Sequence, residues 1–292
     1  MKKVLAAVAV AMTLPMTVMA WEPTGDVNVI VAYKAGSGTD TGARLLATEA
    51  QKYIPKTDGQ TIGFINLPTF TTLAAQSGAP FSINDIVPIA NHLTEAGVVA
   101  VKADSPYKTI EELVAAAKEK GNLKASTNGN KASNHTAAQL LAKSAGFKYK
   151  AIPYGGTADQ LLALRQGEVD FTCAKVADVA KLVKGDKPEL RVLAVFNTKR
   201  DPELPNVPTL GEKGLYPEWY GSARALVAPK GTKPEVIQYY VEAFKKTMQD
   251  PAVIEAHKKA GMALDFKDNK ELGDLIKAQD KFARDVVNDL YK

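Results

Sequence analysis

DVNVIVAYKAGSGTDTGARLLA, residues 26–47, is the stretch on which the reading of this chain turns. A β-branched run from Val27 to Val31 predicts a strand, and it stops at a loop of small residues, Ala35, Gly36, Ser37, Gly38 and Thr39. Asp40 follows, and apolar spacing from Ala43 through Leu46 and Ala47 predicts a helix. Such a strand, glycine loop and helix aim free backbone N–H groups and the positive end of a helix dipole at one point, an arrangement suited to phosphates and carboxylates. Two anions are disfavoured at once. Gly36, Gly38 and Gly42 place the third glycine one position late for a dinucleotide fingerprint, and the lysine of a phosphate-binding P-loop is absent.

The 292 residues suffice for two domains with real cores, and 46% hydrophobic with 24% charged residues describes a soluble globular protein. Lys2 and Lys3, an apolar run from Val4 to Val18 and the small-residue site ending at Ala20 predict a secretory leader cleaved before Trp21. The run is short for a membrane span and is broken by Pro15. Removing the leader lowers the formal net charge from +5 to +3. The basic residues are dispersed and not interleaved with aromatics, so no nucleic-acid partner is expected. The single cysteine, Cys173, reads as a buried core thiol. The expected location is the periplasm.

Downstream, strands are predicted over Thr61–Leu67, Ile86–Leu93, Val98–Val101, Leu123–Ser126, Tyr149–Pro153, Val169–Cys173, Arg191–Phe196 and Ala223–Ala228. Helices are predicted over Thr69–Gln76, Ile110–Lys118 with Thr109 as N-cap, Asn134–Ser144, Ala158–Arg165, Val176–Val183, Lys233–Met248 and Ala252–Ala260. An amphipathic helix from Lys270 carries Leu272, Leu275, Ile276, Phe282, Val286 and Leu290 on one stripe. The proline-rich stretch 197–220 predicts an irregular loop. This alternation specifies an α/β fold with parallel sheets covered on both faces. The breaks near Val101 and Ala225 divide the chain into a leader (1–20), a discontinuous first domain (21–102 and 226–292) and an inserted second domain (103–225), with the ligand cleft between the two domains.

Three loops rich in small polar residues each open a helix: Ala35 to Thr41, Thr127 to Asn134, and Tyr154 to Thr157. Facing one another across a cleft, they would hold a carboxylate through N–H and hydroxyl donors, with no lysine or arginine needed. Ser133 and His135 suggest a hydrolase on paper, but they sit two residues apart at a helix start and no Gly-x-Ser-x-Gly elbow occurs. His92, His135 and His257 are scattered, so no metal site is expected. Asp40 suits either an ammonium group of a ligand or the capping of its own helix.

Three blocks also carry a resemblance. VAYKAGSGTDTGAR (31–44), YGGTADQ with LLALRQGEVD (154–170), and LRVLAVFNTKRDPELPNVPTLGEKG (190–214) with VAPKGTKPEVI (227–237) resemble the signatures of periplasmic solute-binding proteins of tripartite tricarboxylate transporters, the TctC or Bug family. The resemblance implies a two-domain periplasmic-binding-protein (Venus-flytrap) architecture. It implies a non-enzymatic monomer, without cofactor, that closes on a small organic carboxylate (a di- or tricarboxylate, amino acid or aromatic acid) and delivers it to membrane permease subunits. A ligand-loaded sensory partner of a membrane receptor is the alternative. Carried over, Tyr33 forms an apolar wall, Ala35, Ser37, Thr39 and Asp40 the first loop, and Gly155, Gly156 and Thr157 the second. Thr127, Asn128, Ser133 and Asn134 meet the rest of the ligand, and Thr172 and Asp178 are weaker candidates at the next strand end. The chain departs from the family pattern at Ala32 and Tyr33, where Pro and Phe are usual. It also passes from Tyr53 directly to DGQTIGF, where relatives carry a further strand and an Asn-x-Pro-Gly-Ala-Gly-Gly type loop.

Overall fold

The computed structural model describes residues 26–31, 38–50, 52–54 and 61–291. The expected leader, the loop positions Tyr33, Ala35 and Ser37, and the segment 55–60 lie outside the described residues. In order, the chain forms β1 (Asn28–Val31), α1 (Gly38–Ala50), β2 (Thr61–Leu67), α2 (Thr69–Ala74), β3 (Ile86–Lys102), α3 (Ile110–Lys120), β4 (Lys124–Thr127), α4 (Ser133–Ala145), β5 (Lys150–Pro153) and α5 (Thr157–Gln166). Then come β6 (Phe171–Lys175), α6 (Val176–Val179), β7 (Leu190–Phe196), β8 (Gly221–Pro229), α7 (Pro234–Gln249), α8 (Pro251–Lys259), β9 (Leu264–Lys267), α9 (Asn269–Phe282) and α10 (Asn288–Leu290), with a π-turn at Ala283–Val287 before the last.

Local sequence accounts for most of these elements. Thr109 and Glu112 close a capping box at the start of α3, and Gly121 ends that helix at φ 65°, a left-handed position open to glycine without a Cβ clash. Pro234 and Pro251 start α7 and α8 at positions where the missing N–H costs nothing. Asp268 accepts from the N–H groups of Lys270 and Glu271 and caps α9.

The central element departs from expectation. The two strands predicted at Ile86–Leu93 and Val98–Val101 are one strand of 17 residues, β3. Its first part pairs with β8 from Ile86 to Ala96, and its last part pairs with β6 and β7 from Gly97 onward. Residues 94–96 lie between the two predicted strands, and their pairing with Ala223, Ser222 and Gly221 of β8 keeps them extended. The described strands run β1-β2-β8-β3-β6-β4-β5, with β7 and β9 also on β3. Parallel pairing holds for β1/β2, β4/β5 and β4/β6, whereas all pairs of β3 and the β2/β8 pair are antiparallel. The sheet is therefore mixed rather than parallel. The helix between β2 and β3 still makes them run the same way, but β8, arriving from much later in the chain, inserts antiparallel between them.

Both halves of the sheet are covered on both faces. Period-two alternation sends Val99 and Val101 into the core under α3 and α4, and Val98 and Ala100 into the core under α5. In the other half, Ile62, Phe64, Leu226 and Ala228 pack with α1 and α7, while Leu67, Ala223 and Ala225 pack with α9. The C-terminal residues Phe282, Val286 and Leu290 cross over to the α3/α4 core and tie the two halves together. Strand β9 lacked a clear sequence signal, and the predicted helix Val176–Val183 is helical only over Val176–Val179. At the far edge, β1 exposes Ile30 beside a cavity of about 720 Å³ lined by Val27, Ala43, Leu46, Ile62, Phe64 and Phe244.

Candidate functional site

The site is assembled from helix N-termini. Residues Ser133 and Asn134 open α4, and both are buried. The N-cap position, Ala132, offers no side-chain oxygen, so the first N–H groups find partners elsewhere: Ser133 N donates to Thr69 Oγ1 at 3.2 Å and Asn134 N to Asn128 Oδ1 at 3.3 Å. Thr69 belongs to α2, on the other half of the sheet, and its hydroxyl donates onward to Asn66 Oδ1 at 3.2 Å. The loop before α4 is held under strain: Lys131 adopts φ 56°, its N–H donates to His135 Nδ1 at 3.0 Å, and its ammonium lies 5.6 Å from the Tyr291 ring centroid.

Gln160, fully buried in the first turn of α5, joins this helix start to two strands. Its Nε2 donates its two hydrogens to Thr172 Oγ1 at 2.5 Å and Cys173 O at 2.6 Å, with Ser126 O a more distant contact at 3.3 Å, and its Oε1 accepts from Asn134 Nδ2 at 2.9 Å. Those bonds fix the Asn134 amide, whose Oδ1 accepts from Lys175 Nζ; the same ammonium donates to Ser133 Oγ at 3.2 Å. Lys175 ends β6 and is 3% exposed. Burial brings its ammonium down to about 8, with Asp178 and Glu95 opposing the fall.

A second buried polar seam lies where β3 crosses between the halves. Arg224 Nη2 stands 2.8 Å from Glu95 Oε2, both side chains nearly inaccessible. The contact is close but off the N–H direction, because both Glu95 oxygens and Arg224 Nε have no directed hydrogen-bond partner. Burial raises the Glu95 carboxyl, and the Arg224 guanidinium opposes the rise. The start of α1 packs on this seam: a Cβ at Gly42 would sit 3.2 Å from His92 Cε1 and 3.6 Å from Arg224 Nη1. His92 Nε2 meets His257 Nε2 at 2.8 Å, and His257 Nδ1 donates to Val253 O at 2.7 Å. His257 Nε2 is then the acceptor, His92 Nε2 carries the hydrogen, and His92 Nδ1 is left as a buried acceptor without partner.

The structure thus brings some of the expected residues together and leaves others apart. Ser133, Asn134, Asn128 and Thr127 lie at one helix start, where the Asn134 amide meets Gln160 three positions beyond Thr157 in the first turn of α5. Gly155 is exposed and Gly156 is the N-cap of α5. Thr39 and Asp40 are buried in the first turn of α1, where both Asp40 oxygens accept from Arg44 Nε at 3.0 Å. The Thr172 hydroxyl is engaged with Ser126 O at 2.9 Å and Gln160, facing the interior. Asp178 Oδ2 accepts from Lys175 N at 3.1 Å. Ser133 and His135 share no hydrogen bond, since the one faces Lys175 and the other Lys131 and Tyr291. Cys173 is a buried thiol pushed up to about 12 by desolvation. Among the described residues no metal-binding cluster occurs, and no helix is long and apolar enough to cross a membrane.

Sequence reasoning did not single out Lys175, Gln160, Arg224 or Glu95, although it expected the donor loops to need no lysine or arginine. The signal existed. Arg224 is a lone charge inside GSARALVAP, and Lys175 closes an otherwise uncharged strand.

The chain is similar to known proteins over most of its length. Residues 24–290 match the sequence profile of the tripartite tricarboxylate transporter family receptor, TctC. A Cupriavidus necator protein, "UPF0065 protein in gbd 5'region", is 30% identical over 253 residues, which cover 78% of this chain and 76% of that protein. The fold is shared with the periplasmic binding protein BugD (TM-score 0.81, 22% identity, 90% of this chain and 97% of that one). It is shared also with MatC from Rhodopseudomonas palustris with bound malate (TM-score 0.80, 20% identity, 90% and 99%). These are two-domain α/β binding-protein folds, and the long strand β3 with its two covered half-sheets is this chain's version of that architecture. On the profile match across nearly its full length, the chain belongs to the tripartite tricarboxylate transporter receptor family.

Proposed function

We propose that this protein captures a small organic carboxylate in the periplasm, between a first domain of residues 21–102 and 226–292 and a second of residues 103–225, and hands it to membrane permease subunits. The observation that carries the reading is the first turn of α4. Its N-terminus, the Ser133 hydroxyl, the Asn134 amide and the Lys175 ammonium are gathered in one buried place and hydrogen-bonded to Thr69 from the other half of the sheet. Aligned donors at a helix N-terminus favour an anion over a neutral solute. The malate in MatC, a protein of the same fold, is an acid of the proposed class. Binding is the reading because the groups gathered there are hydrogen-bond donors at a helix N-terminus, and Ser133 and His135 share no hydrogen bond.

Ligand shifts the population toward the closed form by contacting both domains. Delivery then needs only that the permease recognise the closed shape. A thermal-shift screen of the mature protein against mono-, di- and tricarboxylates, amino acids and aromatic acids tests the reading. A solute at about 100 times its Kd should stabilise by about 2.7 kcal/mol. No midpoint change with any acid at millimolar concentration would refute it.

A further inference from the structure

We propose that β1 is a docking edge for a second copy of this chain, two β1 strands pairing antiparallel about a two-fold axis at Ile30 and joining two sheets into one. This holds whichever solute the cleft takes, and it confines the monomer that the family resemblance implies to low protein concentration.

An edge strand presents a row of unpaired backbone donors and acceptors, and soluble proteins blunt such edges with charge, with proline or with a covering segment. Three of the described edge strands carry one of these devices. At one end of the sheet, β5 contains Lys150 and Pro153. Strand β9 contains Asp265 and Lys267. Strand β7 is covered by a loop, since Val195 N donates to Pro208 O at 3.0 Å and Leu210 N to Val195 O at 2.9 Å. The other end of the sheet is different. There β1 pairs with β2 alone among the described residues, and its four residues, NVIV, include neither a charge nor a proline. Val29 is 36% exposed and Ile30 60%.

The core beneath that edge is unfinished as well. Val27 and Val31 pack on the cluster under α1 and α7, and the alternation of a strand puts Val29 on the same face. The cavity of about 720 Å³ lies there, lined by Val27, Val29, Ala43, Leu46, Phe64 and Phe244. Such walls reward an apolar occupant, and one that continues the ladder at the same time satisfies the backbone of β1.

The strand is complementary to itself, as a two-fold interface requires. With Ile30 opposite Ile30 of the second copy, Val29 stands opposite Val31, so the apolar row over one cavity runs on into the other. The two exposed Ile30 side chains meet on the opposite face. Asp26 precedes Ile30 by four residues and Lys34 follows it by four, so the charges flanking the strand are of opposite sign across the pair. An unrelated strand could satisfy the backbone, but this matching is a property of the sequence read against its own reverse. Strands β2 and β8 separate β1 from β3, so the seam leaves the crossing strand of each copy untouched.

A ladder this short makes a small interface, of the size of transient contacts, so the dissociation constant should be on the order of 10–100 μM. Sedimentation equilibrium of the mature protein, from well below to well above that range, should show the mass double. Ile30→Lys alone and Ile30→Glu alone each set two like charges opposite one another and should weaken association by at least ~10-fold, while an equimolar mixture of the two variants should associate again. Ile254→Lys, the same change at a comparably exposed isoleucine on α8, should associate as the wild type does. Hydrogen exchange at residues 28–31 of the wild type should slow by roughly 10-fold across the transition, and this arm decides the matter even if the variants fail to fold. The inference is overturned by a mass that stays that of one chain throughout, by a dimer that Ile30→Lys leaves intact or that Ile254→Lys also dissolves, or by a mixture of the two Ile30 variants that stays monomeric. Exchange at 28–31 that does not change with concentration overturns it too, and slow exchange already in the monomer would assign the edge to another segment of the same chain.

Discussion

Gly221→Ala should all but abolish folding, whereas Gly273→Ala should be mildly stabilising. Gly221 opens β8 opposite Ala96, at the point where β3 passes from one half of the sheet to the other. A Cβ there would lie 1.9 Å from the Glu95 carbonyl oxygen and 2.8 Å from the Trp219 ring. An ordinary carbon–oxygen contact is about 3.3 Å, so the strands must separate by roughly 1.4 Å in the middle of the central ladder. The obstacle is backbone, which cannot rotate away. Overpacking against mobile side chains costs about 1–3 kcal/mol, and this case belongs with the exceptional losses above about 4 kcal/mol. Gly273, inside α9, would place its Cβ 3.7 Å from Pro88 Cγ, an ordinary contact, and the helix interior should gain about 1 kcal/mol. Both substitutions restrict the unfolded chain alike, so the difference of about 5 kcal/mol reports the native close approach. Urea unfolding followed by far-ultraviolet circular dichroism measures it. A Gly221→Ala protein within about 1 kcal/mol of wild type would refute the crossing geometry at β3 and β8.

Three further outcomes follow from the polar interior. Gln160→Leu removes the partner of Asn134 Nδ2 and a donor to Thr172 and Cys173, and should cost about 2–4 kcal/mol by urea unfolding; a loss under about 0.5 would show the network to be inert. Arg224→Met strands the Glu95 carboxylate and should cost about 3–5 kcal/mol, while the double change with Glu95→Gln should recover much of it in a double-mutant cycle. Burial holds the imidazoles of His92, His135 and His257 below their ordinary value of 6.5, so below that pH the unfolded chain binds protons that the native one refuses. Stability should then be full above about pH 6.5 and fall toward pH 5 by up to about 1.4 kcal/mol per pH unit per histidine. A His92→Gln variant with an undiminished slope would remove His92 from that account.

Much of the site and of the fold could be read locally, because the forces concerned act within a few residues. The capping box at Thr109 and Glu112, the prolines opening α7 and α8, and the donor loops before α4 and α5 are all set by neighbours in sequence. So are the alternating apolar positions that face the two sides of each half-sheet. The sequence signatures were enough to assign the family, since the residues that define them lie in contiguous blocks.

Tertiary structure decided what depends on distant partners. That β3 is one strand rather than two was fixed by ladders to β8, β6 and β7, which residues 94–96 cannot announce alone. The insertion of β8 between β2 and β3 made a sheet mixed that local alternation presents as parallel. The buried charges were hidden for the same reason. A lysine ending a strand is ordinarily solvated, and Lys175 becomes part of the site only because α4, β3 and β6 close around it and leave its ammonium among hydroxyl and amide groups. The sequence by itself set the elements, the family and the donor loops. Which charges those loops share was set by the energy of burying them, and burial is a property of the assembled fold.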